Sequence, residues 1–587
     1  MNGKSFLIAT RKTRRLRDFL GVPGAVRRYI QLALPLFFIS ATTVLSFVPL
    51  MPRSAGHGVT ETVFSAERAM KHIEVIAQSP HPLGSRQQAT VRQYLLDTLT
   101  ALGLQPEVQA FHTVQNVMAR IPGTTSSDAI VLMAHYDSVS VSPGAADNAS
   151  GTVVILETAR ALLNNPPLKN DVILLITDGE ESGLQGSTAF IEHHPWMDDV
   201  KVVLNFDTFT RGPATLWQLS PQNGWLVQQA AQSGIRPVVA PYLYSKESAI
   251  PYSTDLDPFL NQQGSGYNFW TTYSFSESHT AADRIDIVTT GSIQSAGDQA
   301  LGLTRHLGAK DLSETKAPDE TYFNLGPWFI HYPVGWGMAL NVLGVVGAVG
   351  VLVLGWLRQR LSWRGLILGT LLASLGLLVA SLGMFAIWQM IDHHAFRTVF
   401  EHMKADLDLL GTSYPWQHTP HDFDYFIGFE GATLIAGFII YLAARKWFSL
   451  SQIMGIVVSI WLALLVAAAI LFDAVSYMFV GPTLASALIL ALSYFQISGW
   501  SRLFWYGLAL LAAAPVILVW GPAIYLFFMG TALGYLAVLV PATMLLAWTI
   551  LPQFDLALAL LPGFDRFSWR QRRTFPAPDL KIWGRME

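Results

Sequence analysis

Residues 129–151, AIVLMAHYDSVSVSPGAADNASG, and residues 171–183, DVILLITDGEESG, decide the fold. Each opens with a short aliphatic, β-branched run and ends in ionisable residues. The runs 129–134, 172–176 and 202–206 are apolar at alternate and intervening positions alike, as in strands buried on both faces of a largely parallel sheet. Between the first two lies 150–163, which has helical periodicity. Upstream, Val91, Leu95, Leu99 and Leu102 recur on one helical face before Gly103. Strands alternating with helices predict an α/β domain with a mostly parallel mixed sheet sandwiched by helices, and such sheets bind ligands beyond the carboxyl ends of their strands.

The ionisable residues fall where that rule puts a site. His135 and Asp137 follow the first run, Asp147 precedes the helix, Glu180 and Glu181 follow the second run, Asp207 follows the third, and His279 comes later. Taken singly, each has an ordinary structural explanation. His135 would be a packed core histidine, and Asp147 a helix cap. Glu180 and Glu181 would be charges favoured by a helix start, Asp207 an arginine partner, and His279 a surface residue. Independent explanations of this kind rarely bring two histidines and three carboxylates to the strand ends of one domain, so the set points to metal. The chain has no cysteine, which excludes disulfides, thiolate sites and a Cys nucleophile and leaves imidazole and carboxylate as ligands.

Outward from this core the composition changes sharply. Of the 587 residues 51% are hydrophobic and only 13% charged, too few charges for an ordinary soluble chain. The deficit lies after residue 335, where apolar segments recur at 335–357, 366–390, 426–443, 453–472, 478–494, 503–520 and 524–550. The N-terminus carries Lys4, Arg11, Lys12, Arg14, Arg15, Arg17, Arg27 and Arg28 before an apolar run. That run is longer than a signal-peptide core, so an uncleaved anchor is favoured over a cleaved signal peptide. The expected organisation is a basic cytoplasmic N-terminus (1–28), an anchor (29–50), a catalytic domain (57–310), a connector (311–334), a polytopic region of about seven helices (335–550) and a cytoplasmic tail (551–587). The basic residues Arg358, Arg360, Arg364, Arg445, Lys446, Arg502 and Arg566 then fall on one side, which puts the domain on the other. The layout is that of an integral membrane protein, expected in a bacterial inner membrane with the domain on the periplasmic side. Asp473 is the clearest intramembrane charge. A net charge of -3 and a pI near 6.6 give no reason to expect a nucleic-acid partner.

The segments AHYDSVS (134–140), GAADNASGTVVILETARAL (144–162), ITDGEESGLQGS (176–187), LNFDT (204–208) and SHTAADRIDIV (278–288) resemble, in order, the motifs of the co-catalytic di-zinc aminopeptidases and their glutamate carboxypeptidase relatives. The likeness covers roughly 65–307. The layout as a whole resembles the endoplasmic-reticulum and vacuolar membrane metallopeptidases of that family. The resemblance implies a zinc-exopeptidase fold, a peptide substrate and two zinc ions per chain. His135 and Asp207 would hold one ion, Glu181 and His279 the other, and Asp147 would bridge them. It implies Glu180 as general base and Asp137 as the acceptor of the second His135 ring N–H. The sequence departs from the family at Ser278, where soluble members often carry an oxyanion-stabilising tyrosine. Tyr252, Tyr267 and Tyr273 are the candidate substitutes. Two other functions are open: a single-zinc glutaminyl cyclase, which shares the His-Tyr-Asp-Ser sequence at His135, and a catalytically silent receptor or scaffold of the same fold.

Overall fold

The computed structural model describes residues 24–51, 60–239, 241, 253–271, 277–407, 422–472, 475–494, 501–531 and 536–560. Asp473, Tyr252, Tyr273, the tail beyond 560 and most of the basic N-terminus lie outside them.

The strands are β1 (Glu107–Phe111), β2 (Val114–Ile121), β3 (Ala129–His135), β4 (Asp171–Thr177), β5 (Val200–Phe206), β6 (Ala214–Leu219), β7 (Val238–Val239) and β8 (Ser265–Thr271). They form one eight-stranded sheet in the order β1-β2-β4-β3-β5-β8-β6-β7. The centre, β4-β3-β5-β8, is parallel. Antiparallel β2 and β6 flank it on either side. This is the α/β sandwich expected from the apolar runs.

Both faces of the central strands are covered, which is why the runs are continuously apolar. Ile130, Leu132 and Ala134 join the core beneath helices Ser150–Leu163, Thr290–Gly308 and Ala66–Ile76. Ala129, Val131 and Met133 point to the opposite layer with Phe190, Leu256 and Phe259. Each aliphatic side chain so buried contributes about 1.5–3 kcal/mol relative to exposure, which fixes the parallel register. That register sets His135 opposite Thr177 and Met133 opposite Asn205. The carboxyl ends of β3, β4 and β5 therefore open on one edge.

The C-terminal half is helical. Seven helices of the described residues are long and apolar enough to cross a membrane: Ala33–Leu50, Val334–Leu357, Trp363–Ile387, Phe426–Trp447, Leu450–Leu471, Gly507–Met529 and Ala537–Leu556, with Tyr477–Ser493 a shorter apolar helix. Two segment boundaries differ from the sequence expectation. In place of 503–520 and 524–550, helices run Ser501–Leu511, Ala514–Thr531 and Leu536–Leu560. Pro515 marks one break, because it sits in the first turn of Ala514–Thr531, where its missing N–H costs nothing.

The stretch expected as a connector is itself folded. Strands β9 (Glu320–Leu325) and β10 (Trp328–Pro333) form a hairpin. Phe323 stacks on Tyr477 with centroids 4.3 Å apart, and the Gly326 amide donates to the Leu518 carbonyl at 3.4 Å. Leu50 of the N-terminal segment, Val238 of β7 and Leu526 of an apolar C-terminal helix are buried together. The hairpin and β7 thus tie the sheet domain to the apolar helices.

Candidate metal centre

The edge of the sheet gathers the sequence-nominated residues. His135 ends β3 and is 2% exposed. Its Nδ1 lies 3.0 Å from the Asp137 carbonyl. A carbonyl can only accept, so this contact puts the ring proton on Nδ1 and frees the Nε2 lone pair. Nε2 lies 3.2 Å from Asp147 Oδ1 and 3.6 Å from Asp207 Oδ1. On the other side, His279 Nε2 lies 3.1 Å from Asp147 Oδ2 and 2.9 Å from Glu181 Oε2. The two carboxylate oxygens of Asp147 therefore face different histidines.

Asp137 lies against the His135 ring N–H as expected and has a second part besides. The nearer acceptor for the His135 ring is its main-chain oxygen, with carboxylate Oδ1 at 3.5 Å. The carboxylate instead accepts the amides of Glu180 at 3.1 Å and Glu181 at 3.3 Å. Two N–H groups at the start of a turn bind an acceptor-only group more directly than a ring already committed to a carbonyl. Asp137 thus orients the β3 histidine and the turn after β4 together.

The loop carrying Asp147 is braced from both sides. Asn148 Nδ2 donates to the Phe206 carbonyl at 2.9 Å, and Asn148 Oδ1 accepts Gly151 N at 2.9 Å and Thr208 N at 3.2 Å. This links the Asp147 loop to the end of β5, beside Asp207. The Asp147–Asn148 peptide bond is cis. Gly151 is obligatory here, since a Cβ would lie 2.1 Å from the Phe206 carbonyl oxygen and 2.5 Å from Asn148 Oδ1. The first-turn amide of Gly151 in helix Ser150–Leu163 is capped by Asn148 rather than by Asp147, which removes the simplest structural explanation of Asp147.

The electrostatics favour a bound cation. Burial opposes charge on His135, but Glu180, Asp137, Asp147 and Asp207 outweigh it and hold the ring well above the ordinary histidine range. Burial likewise opposes charge on His279, and Glu181 and Asp147 raise it. Burial raises Glu180 far above the usual carboxylate range, against His135 and with the charges of Glu181, Asp207 and Asp255. Glu181 is pushed up to about 6 by burial, with His279 opposing and Asp147 adding. Asp147, despite its burial, is held low by His135 and His279.

His135, Asp147 and Asp207 form one group able to hold an ion, and Asp147, Glu181 and His279 a second, with ligand atoms within 4.8 Å of one another. Tetrahedral zinc with bonds of about 2.0–2.1 Å separates its ligand atoms by roughly 3.3 Å, which the contacts at both histidines match. Glu181 Oε1 is buried without a hydrogen-bond partner and His135 Nε2 faces the carboxylates of Asp147 and Asp207, an arrangement that a coordinated cation would satisfy. Imidazole with carboxylate is also a donor set suited to zinc. The residues fit such ions.

Of the tyrosines considered for the oxyanion, Tyr267 is excluded. It sits fully buried on β8, and its hydroxyl donates to the Leu226 carbonyl at 2.7 Å. Ser278 keeps a buried hydroxyl with no hydrogen-bond partner beside His279. Sequence reasoning missed Asp255, which is 1% exposed, accepts a hydrogen bond from Thr177 and is pushed up to about 6 by burial. Its signal was an acid at the head of the apolar helix Leu256–Asn261.

Residues 116–304 match the family model described as peptidase family M28. Human endoplasmic reticulum metallopeptidase 1 is 31% identical over 315 residues, covering 51% of this chain and 34% of that protein. Vacuolar membrane protease of Eremothecium gossypii is 25% identical over 292 residues, covering 44% of this chain and 28% of that protein. The chain spans about a third of the length of these curated relatives. Their names place those proteins in the endoplasmic reticulum and the vacuolar membrane, and none supports the expected bacterial inner membrane. Among solved structures, a zinc aminopeptidase from Bacillus subtilis aligns with TM-score 0.38 at 16% identity, covering 43% of this chain and 98% of that one. Porphyromonas gingivalis glutaminyl cyclase aligns with TM-score 0.34 at 19% identity, covering 41% of this chain and 97% of that one. Residues 116–304, which carry the strand ends and the candidate ligands, thus match the model of peptidase family M28.

Proposed function

We propose that this chain is a membrane-anchored metallopeptidase holding two zinc ions and cleaving residues from the N-termini of peptides. The observation that carries the reading is Asp147, whose Oδ1 approaches one histidine group and Oδ2 the other. His135 and Asp207 hold one ion, Glu181 and His279 the second, and Asp147 is common to both. When bound, such a pair polarises a scissile carbonyl and acidifies water at neutral pH.

The remaining steps belong to side chains. Glu180, next to Glu181 in the turn held by Asp137, takes the proton of the attacking water and returns it to the leaving amine. Asp137 keeps Glu180, Glu181 and His135 in register, so that base and ligands move as one unit. The apolar helices embed the chain in a lipid bilayer. With spans counted as above and Tyr477–Ser493 included, the basic residues fall on one face and the peptidase domain on the non-cytoplasmic one.

The test uses the purified full-length protein in detergent. Elemental analysis is expected to give two zinc per chain, and amino-acid amides are expected to be hydrolysed. A preparation that takes up no zinc would sink the enzyme reading. Release of ammonia from N-terminal Gln peptides, with one zinc per chain and inert amides, would favour the cyclase chemistry instead.

A further inference from the structure

Asp283 lies four residues after His279 in the sequence, and its carboxylate reaches the loop that carries Asp147. It is fully buried. Oδ1 accepts the Ala146 amide at 2.6 Å, and Oδ2 accepts the Asp147 amide at 3.2 Å and the Ser142 hydroxyl at 3.2 Å. The Asp283 carbonyl also accepts the Ala145 amide at 3.4 Å. One residue therefore closes three consecutive backbone N–H groups, at 145, 146 and 147, onto the segment that carries His279.

That segment is otherwise tied mainly to itself, with the Thr280 hydroxyl donating to the Glu277 carbonyl at 2.7 Å and accepting the Ala282 amide at 3.1 Å. His279 itself has a left-handed backbone, with φ of 60°, and the turn is tied by Thr280 N to the Glu277 carbonyl at 3.2 Å and Asp283 N to the Thr280 carbonyl at 3.1 Å. The other end of the Asp147 loop joins the same assembly. Ser142 Oγ accepts the Gly144 amide at 3.0 Å, and the Ser138 hydroxyl donates to the Ser142 carbonyl at 2.9 Å. By contrast His135 and Asp207 are set by β3 and β5, whose ends the sheet aligns without Asp283.

We infer that Asp283 is a positioning residue for one half of the site only: it sets the distance between Asp147 Oδ2 and His279 Nε2, and so the zinc affinity of the Asp147–Glu181–His279 group. The inference rests on the two-ion reading proposed above. Partners that orient ligands typically change metal affinity by about 10–100-fold when removed. Asp283→Asn keeps the shape but turns one acceptor into a donor facing N–H and O–H groups, so it breaks the clasp without opening a cavity.

The experiment is a zinc titration of full-length wild type and D283N against a competing chromophoric chelator, with zinc content measured in parallel. In D283N the looser zinc is expected to weaken by about 10–100-fold while the tighter one stays within about threefold. Excess zinc is expected to restore the second equivalent. Two zinc ions held at unchanged affinity in D283N overturn the inference, and so does equal weakening of both, which marks general damage. Fewer than two zinc ions in wild type instead overturns the two-ion reading beneath it. If D283N does not fold, as judged by circular dichroism, S142A decides. It removes the hydroxyl contact to Oδ2 together with the acceptor of the Gly144 amide, and is expected to weaken the same equivalent severalfold, and no change in it counts against the clasp.

Discussion

The two halves of the candidate metal centre are built differently. His135, Asp147 and Asp207 are all buried, whereas in the group of Asp147, Glu181 and His279 the last two are less completely buried. The imidazole of His135 is 2% exposed and that of His279 28%. Apart from the shared Asp147, the first group stands at strand ends fixed by the parallel register. The second stands on turns, held by Asp137 beneath Glu180 and Glu181 and by Asp283 behind Asp147. One half is rigid because the core is rigid, and the other because single side chains clasp it.

The substitution with the largest expected effect abolishes that contrast. Asp147→Asn removes the carboxylate common to both groups, so zinc content is expected to fall below one per chain and amide hydrolysis to disappear, as read by elemental analysis and turnover. Retention of two ions would show that the halves do not share Asp147. Next in size is Glu180→Gln, which touches neither group. Turnover is expected to drop by about 10²–10⁴-fold, the usual worth of a general base, with zinc content unchanged. Turnover within a few-fold of wild type would remove Glu180 from the proton-transfer role.

The rigid half was the more legible in sequence. The run 129–134 reads as a doubly buried strand because aliphatic side chains fill both faces, and the strand indeed spans Ala129–His135 with every residue buried. Helix Ser150–Leu163 was legible for the same reason. Edge strands were not: β1 leaves Glu107, Val108 and Ala110 exposed, so EVQAF carries no pattern that separates it from a loop. The clasps were illegible in principle. Asp283 and Asn148 act through backbone groups brought close by the fold, and nothing in the identity of Ala146 or Phe206 announces a partner. The membrane half shows the reverse failure. Apolar composition marks helices without marking their breaks, and it hid Glu430, a 9%-exposed acid inside the span Phe426–Trp447.

Protonation sharpens the comparison with a smaller effect. In the metal-free protein both histidines are raised, His135 by Glu180 and His279 by Glu181 once burial is overcome. A raised histidine keeps its proton at neutral pH, yet ligation needs the neutral ring, so zinc must displace that proton. Zinc affinity is therefore expected to rise with pH through the neutral range for both ions and to level off above the raised values. Calorimetric titration in buffers of different ionisation enthalpy measures the protons released. An affinity that falls as pH rises would contradict the electrostatics of both halves.

The smallest expected effect concerns the scaffold beneath the rigid half. Tyr267 lies on β8 beside β5, with its ring stacked on Phe269 and its hydroxyl on the Leu226 carbonyl. Tyr267→Phe removes one buried hydrogen bond, at a cost of about 1 kcal/mol. The packed ring remains, so β8 should still hold β5 and Asp207 in place. A modest fall in melting temperature with unchanged turnover and unchanged affinity for both ions is expected, measured by thermal denaturation and chelator titration. A large loss of turnover without loss of zinc would mean that the hydroxyl reaches the reacting carbonyl after all, and that β8 belongs to the chemistry as well as to the frame.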